Sequence, residues 1–368
     1  MLTEDQLKVI PDPIQDIFIK LERDAVAVIC EHIRRIGELS QADIYKLNEL
    51  RNVGFSLREI RDNISDTISR SRDDIDKIFA QATRKEYESQ RLNTTPFKSN
   101  SQLVELISSI SEATHGDIAN MSRTIGFIDT KGRWQELAAY YQNTIDYAIL
   151  QIRTGQTDFN SAMSSTIRNI ADNGLTYVDY ASGYRRRLDS SVRSALLGGQ
   201  AGLSKAAARL TGEQFGADGM EITWHSGFRP THWFGGQQFT MRRFNNEIEP
   251  RLEDPNCYHR AFPIILGVSS PTYSNDQLRT LNAKETVTKP FRGNEYNKYE
   301  QTQAQRQMET AIRREKDRIN AFAASGDKAS EDKARGRLAG LNEQYTKFSK
   351  AVGLSKKPEN TRVSGFKR

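Results

Sequence analysis

The stretch Ser56–Ala82, SLREIRDNISDTISRSRDDIDKIFAQA, decides the fold class. Leu57, Ile60, Ile64, Ile68, Ile75, Ile78, Phe79 and Ala82 recur at three- and four-residue steps, the spacing that lines one face of an α-helix. Between them stand Arg61, Asp62, Asp66, Arg70, Arg72, Asp73, Asp74 and Lys77, opposite charges that suit a solvated helical face. Ser56, with Glu59 three residues on, reads as the N-terminal cap. The stretch predicts a long helix that starts at Ser56 and packs along one apolar stripe.

The same period extends in both directions. Upstream, Ile14, Ile17, Phe18, Leu21, Ala25, Val28 and Ile29 give a helix entered after Pro11 and Pro13 and closed near Gly37. Ser40, with Asp43 as its capping partner, opens a short helix carrying Ile44 and Leu47. The span Gly37–Ile60, GELSQADIYKLNELRNVGFSLREI, has the outline of a helix-turn-helix with Gly54 near the turn. Its second helix carries too few base-reading side chains for that role. Downstream, Pro96 interrupts the pattern at Asn93–Asn100, and Leu103, Leu106, Ile107 and Ile110 resume it. Trp134, Leu137, Tyr140, Tyr141, Ile145, Tyr147, Ala148 and Ile149, and then Asp158–Ile170, read as further helix packing surface.

Between Gly174 and Leu210, Thr176, Tyr177, Val178, Tyr180, Tyr184, Leu188, Val192, Leu196 and Leu197 supply a core face. Arg185, Arg186 and Arg187 form a basic run inside it, followed by Arg193. Two readings stay open for them: a solvated helix flank, or an anchor for an acidic partner or nucleic-acid phosphate.

From Gly216 the period becomes two: Met220, Ile222 and Trp224 alternate with Glu221 and Thr223, as in a strand. Phe262, Ile264 and Ile265 suggest another, entered through Pro263. Helix returns near Tyr296, with Met308, Ala311, Ile312, Ile319 and Phe322 on one side of a turn at Gly326 and Ala334, Leu338, Leu341, Tyr345 and Phe348 on the other. The pair predicts a helical hairpin. The last residues, SKKPENTRVSGFKR, need a neighbour if they are to be ordered.

The fold class expected is therefore mainly α, with long helices, a C-terminal helical hairpin and a small α+β or irregular glycine-rich domain in the central-to-C-terminal part. Along the chain the pattern divides into an N-terminal helical arm (1–92), a helical body (99–215), a small β-containing domain (216–292), a charged hairpin (295–350) and a basic tail (351–368).

Composition narrows the function. Charged residues make up 27% and mean hydropathy is −0.67, more polar than an average globular domain. No apolar run reaches the roughly 18 residues of a membrane span, and the start, MLTEDQLKVIPDP, lacks the basic and apolar regions of a secretory signal. Cys30 and Cys257 are too few for a disulfide scaffold. From Glu295 onward 17 basic residues accompany 10 acidic ones, against a whole-chain net charge of +6. The basic balance thus belongs to the C-terminal part, where Lys356, Lys357, Lys367 and Arg368 are candidate contacts to DNA or an acidic protein.

Chemistry concentrates in one place. Of five histidines, His225, His232 and His259 fall close together with Cys257, in WHSGFRPTHWFGGQQF and DPNCYHRAFPIILG. Four ligands of this type fit a structural zinc ion, which would cross-link a domain with little hydrophobic core. Cys257 and His259 would point to opposite faces of a regular strand, so both reach one ion only from a turn, for which Pro255 and Asn256 are suited. The competing reading is hydrogen-bonded structural histidines, with Cys257 a small buried apolar residue. No nucleophile elbow, phosphate-binding glycine loop or HExxH motif occurs, and GQAGLSKAA at Gly199 lacks phosphate-loop spacing. No enzymatic activity is expected.

Three blocks carry a resemblance: YASGYRRRLDSSVRSAL (Tyr180–Leu196), HSGFRPTHWFGGQQF (His225–Phe239) and NCYHRAFPIILGVS (Asn256–Ser269). In this order they resemble the phage minor capsid protein 2 family, relatives of the portal-proximal minor head proteins of the Mu F type. His225, Gly227, Arg229, Pro230, His232, Trp233 and Gly236 fill the family's His-x-Gly-Ala-Arg-Pro-x-His pattern and its aromatic and glycine sequel. Phe228 departs from it, as does Tyr258 in the Asn-Cys-Arg-His block. NNEIEPRLEDPN replaces the family's glycine-rich turn before the Cys block.

The resemblance implies a structural minor capsid protein of a tailed-phage head, near the portal vertex, with a part in head assembly or in genome packaging and delivery. It implies portal protein or major capsid protein as partners, packaged double-stranded DNA as a neighbour, several copies per virion and no membrane. Two other functions compete. One is a DNA-binding packaging accessory that uses Arg185–Arg187 and the basic tail. The other is a metal-dependent or cysteine hydrolase at His225, His232, Cys257 and His259.

Overall fold

The computed structural model describes residues 2–38, 43–89, 97–128, 132–137, 139–140, 143, 156, 159–178, 185–252, 254, 257–363 and 366. The chain is mainly α with small antiparallel sheets. Among the described residues the helices of six or more residues are α1 (Glu4–Val9), α2 (Asp12–Glu38), α3 (Asp43–Ser89), α4 (Ser101–Arg123), α5 (Phe159–Asn173), α6 (Leu188–Phe215), α7 (Asn275–Thr286), α8 (Lys298–Ser325) and α9 (Lys328–Val352). The described residues form two compact units, each assembled from three lengths of chain: 1–14, 70–117 and 193–304 in the first, and 15–69, 118–192 and 305–368 in the second.

Two expected boundaries disappear. Gly54 and Ser56 both lie inside α3, which runs unbroken from Asp43 to Ser89. The helical period of Leu57–Ala82 continues N-terminally, so Ser56 is an interior serine rather than a cap. With no turn at Gly54, the helix-turn-helix outline is excluded. The helix expected to close near Gly37 does so: α2 ends at Glu38. Ser40, proposed as a cap, lies outside the described residues, as do Tyr141, Ile145, Tyr147, Ala148 and Ile149.

In the second unit, strands β1 (Ile125–Ile128), β2 (Trp134–Glu136), β3 (Thr176–Val178) and β4 (Arg185–Arg187) form an antiparallel sheet in the order β2-β1-β3-β4. Asn169 and Asn173 of α5 both donate to Ile128 O at 3.2 Å, which ties that helix to β1. The basic run is strand, not helix flank. Val178, Tyr177 and Thr176 pair with Arg185, Arg186 and Arg187, and α6 begins only at Leu188. Cys30 is fully buried, and burial pushes its thiol up to about 12, as a core cysteine should behave.

The hairpin lies within the second unit from Gln305 on, and its turn is at Gly326, whose φ is +76°. Ile312, Ile319, Phe322, Ala334, Phe348 and Val352 are buried. Polar bonds cross between the helices: Tyr345 OH donates to Glu309 Oε1 at 2.9 Å, and Gln305 donates to Ser349 Oγ at 3.2 Å. The tail finds its neighbour in this hairpin. Lys357 N–H donates to Tyr345 OH at 2.8 Å, Asn360 to Glu309 at 2.8 Å, and Gln305 to Ser355 O at 2.9 Å.

A buried ion network organises the second unit. Arg187 bonds Glu22 and reaches Asp317 at 3.3 Å and Asp189 at 3.7 Å, while Arg313 stands 3.8 Å from Asp189. Gly174, at φ +56°, makes room for Glu22, whose carboxylate would stand 2.0 Å from a Cβ there. Two guanidinium groups face three carboxyl groups. Burial raises Glu22 from 4.5 to about 8, against the attraction of Arg187 and with the repulsion of Asp189 and Asp317. Between about 4.5 and about 8 the folded chain therefore binds more protons here than the unfolded chain. Stability from this group is complete below the lower value and is lost as pH rises through the upper one. Burial raises Asp317 too, reinforcing the effect. Asp189 is lowered, so its dependence has the opposite sign but falls below 3.8. Below about 6.5 the neutral His259 works in the opposite sense, so between about 6.5 and about 8 denaturant midpoints should show stability falling with pH, with a slope from Glu22 of up to about 1.4 kcal/mol per pH unit. Glu22→Gln should flatten it.

In the first unit, strands β5 (Gly219–Ile222), β6 (Gln238–Thr240) and β7 (Ala261–Ile264) pair as β6-β5-β7, and β8 (Lys289–Phe291) pairs with β9 (Asn294–Tyr296). The alternating strand expected at Met220–Trp224 is present to Ile222, but all four residues of β5 are buried. Met220, Ile222, Phe234, Phe239, Phe244, Ile248 and Ala261 form its core. Gly199 of α6 serves packing: a Cβ there would stand 2.6 Å from Phe79 of α3 and 2.5 Å from Thr114 of α4. A Cβ on Gly198 meets nothing within 4 Å. Gly198→Ala should raise stability by about 0.5–1 kcal/mol through helix propensity. Gly199→Val should cost about 1–3 kcal/mol through overpacking. Paired thermal melts check both.

Candidate metal centre

The register of the small sheet brings the histidine segments together. Ile222 pairs with Ala261, and the ladder continues past the strand ends: Thr223 N–H donates to Arg260 O, and Arg260 N–H to Thr223 Oγ1, both at 2.8 Å. His225 and His259 are thereby placed side by side, with ring centroids 4.2 Å apart. After His225 the chain turns through Gly227 (φ +75°), and α7 braces it: Glu285 accepts from Ser226 Oγ at 2.7 Å and from Gly227 N at 2.6 Å. Arg229 to His232 is a β-turn, with His232 N–H donating to Arg229 O at 2.8 Å and Pro230 at its second position. Gly236 (φ +78°) returns the loop to the sheet, donating to Ile222 O at 2.8 Å.

Cys257 and His259 lie in irregular chain before β7, which frees them from strand alternation. Both side chains turn the same way: Cys257 Sγ is 3.7 Å from His232 Nδ1 and 3.6 Å from His259 Nδ1. His232, Cys257 and His259 are all buried and offer ligand atoms within 4.8 Å of one another. His225, the fourth residue expected, stands beside His259 but outside this group. Its Nδ1 bonds Ser226 O at 3.2 Å. Pro255 and Asn256 lie outside the described residues.

Asp254 completes the arrangement. Its carboxylate is 3.0 Å from His232 Nε2 and 3.2 Å from Arg229 Nη1. The bond from His232, and after it Arg229, hold Asp254 below the ordinary carboxylate range. An ionised Asp254 accepts hydrogen bonds only, so His232 Nε2–H is the donor to it and Nδ1 is the nitrogen that faces sulfur. Burial pushes the Cys257 thiol up. Burial, with His225, His232 and Arg260 nearby, pushes His259 down to about 2, so its ring is neutral. A cavity of about 350 Å³ adjoins the cluster, with Cys257, His259, Asp254 and Arg260 on one side and Leu197, Gly198 and Lys205 of α6 on the other. Motif reading missed Asp254; its only signal in sequence was a carboxylate three residues before Cys257.

The family model of phage minor capsid protein 2 matches residues 2–350. The chain belongs to the phage minor capsid protein 2 family. It is a structural protein of the phage head, a component of the virion that interacts with other virion components. No curated protein and no solved structure gives a match. In this minor capsid chain, the blocks His225–Phe239 and Asn256–Ser269 are the two sides of the His/Cys cluster, joined through β5 and β7.

The basic residues fare differently. Arg187 is engaged in the network with Glu22, Asp189 and Asp317. Arg193 bonds Asp12 Oδ1 at 2.8 Å and Lys8 O at 2.6 Å, anchoring the N-terminal segment of the first unit. Lys356 is exposed and bonds Thr346 Oγ1 at 3.2 Å. Lys357 is half-buried, and Lys367 and Arg368 lie outside the described residues. The side chains of Arg185 and Arg186 are likewise outside them. Among the described residues, no helix is long and apolar enough to cross a membrane.

Proposed function

We propose that this head protein sits at the portal vertex inside the shell and presents its C-terminal hairpin to the packaged genome. Membership of a minor capsid family over residues 2–350 is the observation that carries the head role. The place beside DNA is supported by the basic excess after Glu295 and by where it is displayed. Arg306, Arg314, Lys333, Lys350 and Arg362 are exposed on the hairpin and tail. Portal or major capsid protein would be the protein partner. A packaging role through Arg185–Arg187 is less well supported, because Arg187 already faces three carboxyl groups.

Quantitative mass spectrometry of purified, DNA-filled heads tests the assignment. The chain should be present at a small fraction of the major capsid protein. Its DNA binding in vitro should fall steeply with salt, as counterion release requires, and Lys333→Glu with Lys350→Glu should weaken it further. Presence in assembly intermediates but not in filled heads would make it an assembly factor instead.

A further inference from the structure

We propose that His232 Nδ1, Cys257 Sγ and His259 Nδ1 bind one zinc-class ion, with Asp254 orienting His232 and a water in the fourth position. The inference is independent of where the protein sits in the head.

Spacing supports it. Zinc–sulfur bonds of about 2.3 Å and zinc–nitrogen bonds of about 2.0–2.1 Å at tetrahedral angles separate S and N by about 3.5–3.6 Å. The two S···N separations, 3.7 and 3.6 Å, match that spacing, and all three ligand atoms lie within 4.8 Å of one another, so binding needs the two histidine nitrogens to draw to about 3.3 Å apart.

Hydrogen bonding supports it as well. His259 Nε2 is buried and has no hydrogen-bond partner. With the His259 proton on Nδ1, the Nε2 lone pair is left bare. With the proton on Nε2, the Nδ1 lone pairs of His232 and His259 both face Cys257, whose single thiol proton serves only one. An ion between the two Nδ1 atoms satisfies both of those lone pairs and the sulfur together, as Cys257 releases its proton to solvent on binding; His259 Nε2–H is buried without an acceptor with or without the ion.

The outer contacts fit a metal too. Asp254 on the far nitrogen of His232 is the carboxylate–histidine–metal arrangement that fixes ring orientation. Phe234 packs on His232 and His259 at 5.2 and 5.3 Å and shields that side. The ion would staple the loop after β5 to the segment before β7. His225 remains outside the coordination shell.

The test uses the full-length chain, expressed without a histidine tag, stripped with chelator and titrated with Co²⁺. One equivalent should bind, giving the sulfur-to-cobalt charge-transfer band and the intense visible bands of a four-coordinate site. Zn²⁺ should displace it and raise the thermal midpoint. Cys257→Ser should abolish the charge-transfer band, and His232→Ala and His259→Ala should lose stoichiometric binding. His225→Ala should keep both band and stoichiometry. Circular dichroism at low temperature confirms that each variant is folded. A wild-type chain that binds Co²⁺ no better than Cys257→Ser, or that gives only the weak bands of a six-coordinate ion, overturns the proposal. Loss of the site in His225→Ala overturns the three-ligand assignment.

Discussion

Replacing Arg187 with alanine is expected to destabilise the chain by about 3–5 kcal/mol near neutral pH, because it strands buried carboxylates without their partner. Glu22, Asp189 and Asp317 keep only 6%, 5% and 20% of their side-chain surface, so water cannot replace the guanidinium. Arg187 itself retains 32%, yet its Nε is sealed from solvent. Partial exposure places the loss toward the lower end of that range. The loss should shrink in acid, where the stranded carboxyl groups take up protons. Urea midpoints of both chains at several pH values measure it. An arginine that served only as a surface contact would change stability by no more than about 0.5 kcal/mol at any pH, and that result would return Arg187 to the nucleic-acid reading.

The second large effect is expected at Phe234. Its ring is fully buried in the core of the β6-β5-β7 sheet and forms one wall of the His/Cys cluster, stacked on His232. Phe234→Ala should cost about 3–5 kcal/mol through lost burial and the cavity left behind. It should also open the wall over the cluster, so that Cys257 reacts faster with a thiol reagent. Phe234→Leu should cost much less and keep Cys257 protected. A loss below about 1 kcal/mol would mean that the loop collapses onto the space and that the packing assigned to Phe234 is wrong.

Much of the fold was legible because burial writes itself into helical spacing. The stripe from Leu57 to Ala82 and the hairpin either side of Gly326 are both present where periodicity placed them. Boundaries were less legible. Ser56 resembles a cap in sequence, but nothing local distinguishes a capping serine from one inside a continuing helix. Arg187 of β4 was given the wrong surroundings for a related reason. A run of like charges predicts solvent, and the partners of Arg187 come from Glu22 and Asp317, far away in sequence.

The candidate site was half legible. Residue type gathered His232, Cys257 and His259, and the need for both Cys257 and His259 to leave strand geometry was readable from their spacing. The exclusion of His225 and the role of Asp254 were not. Both depend on the β5–β7 register and on the turn at Pro230, which decide where each side chain ends.

Vertex-focused cryo-electron microscopy of mature heads tests the central claim most directly. Density for the α8–α9 hairpin around the portal, on the inner side and beside the innermost DNA layers, is the predicted result. The same chain spread over the icosahedral shell, or missing from filled heads, would contradict it.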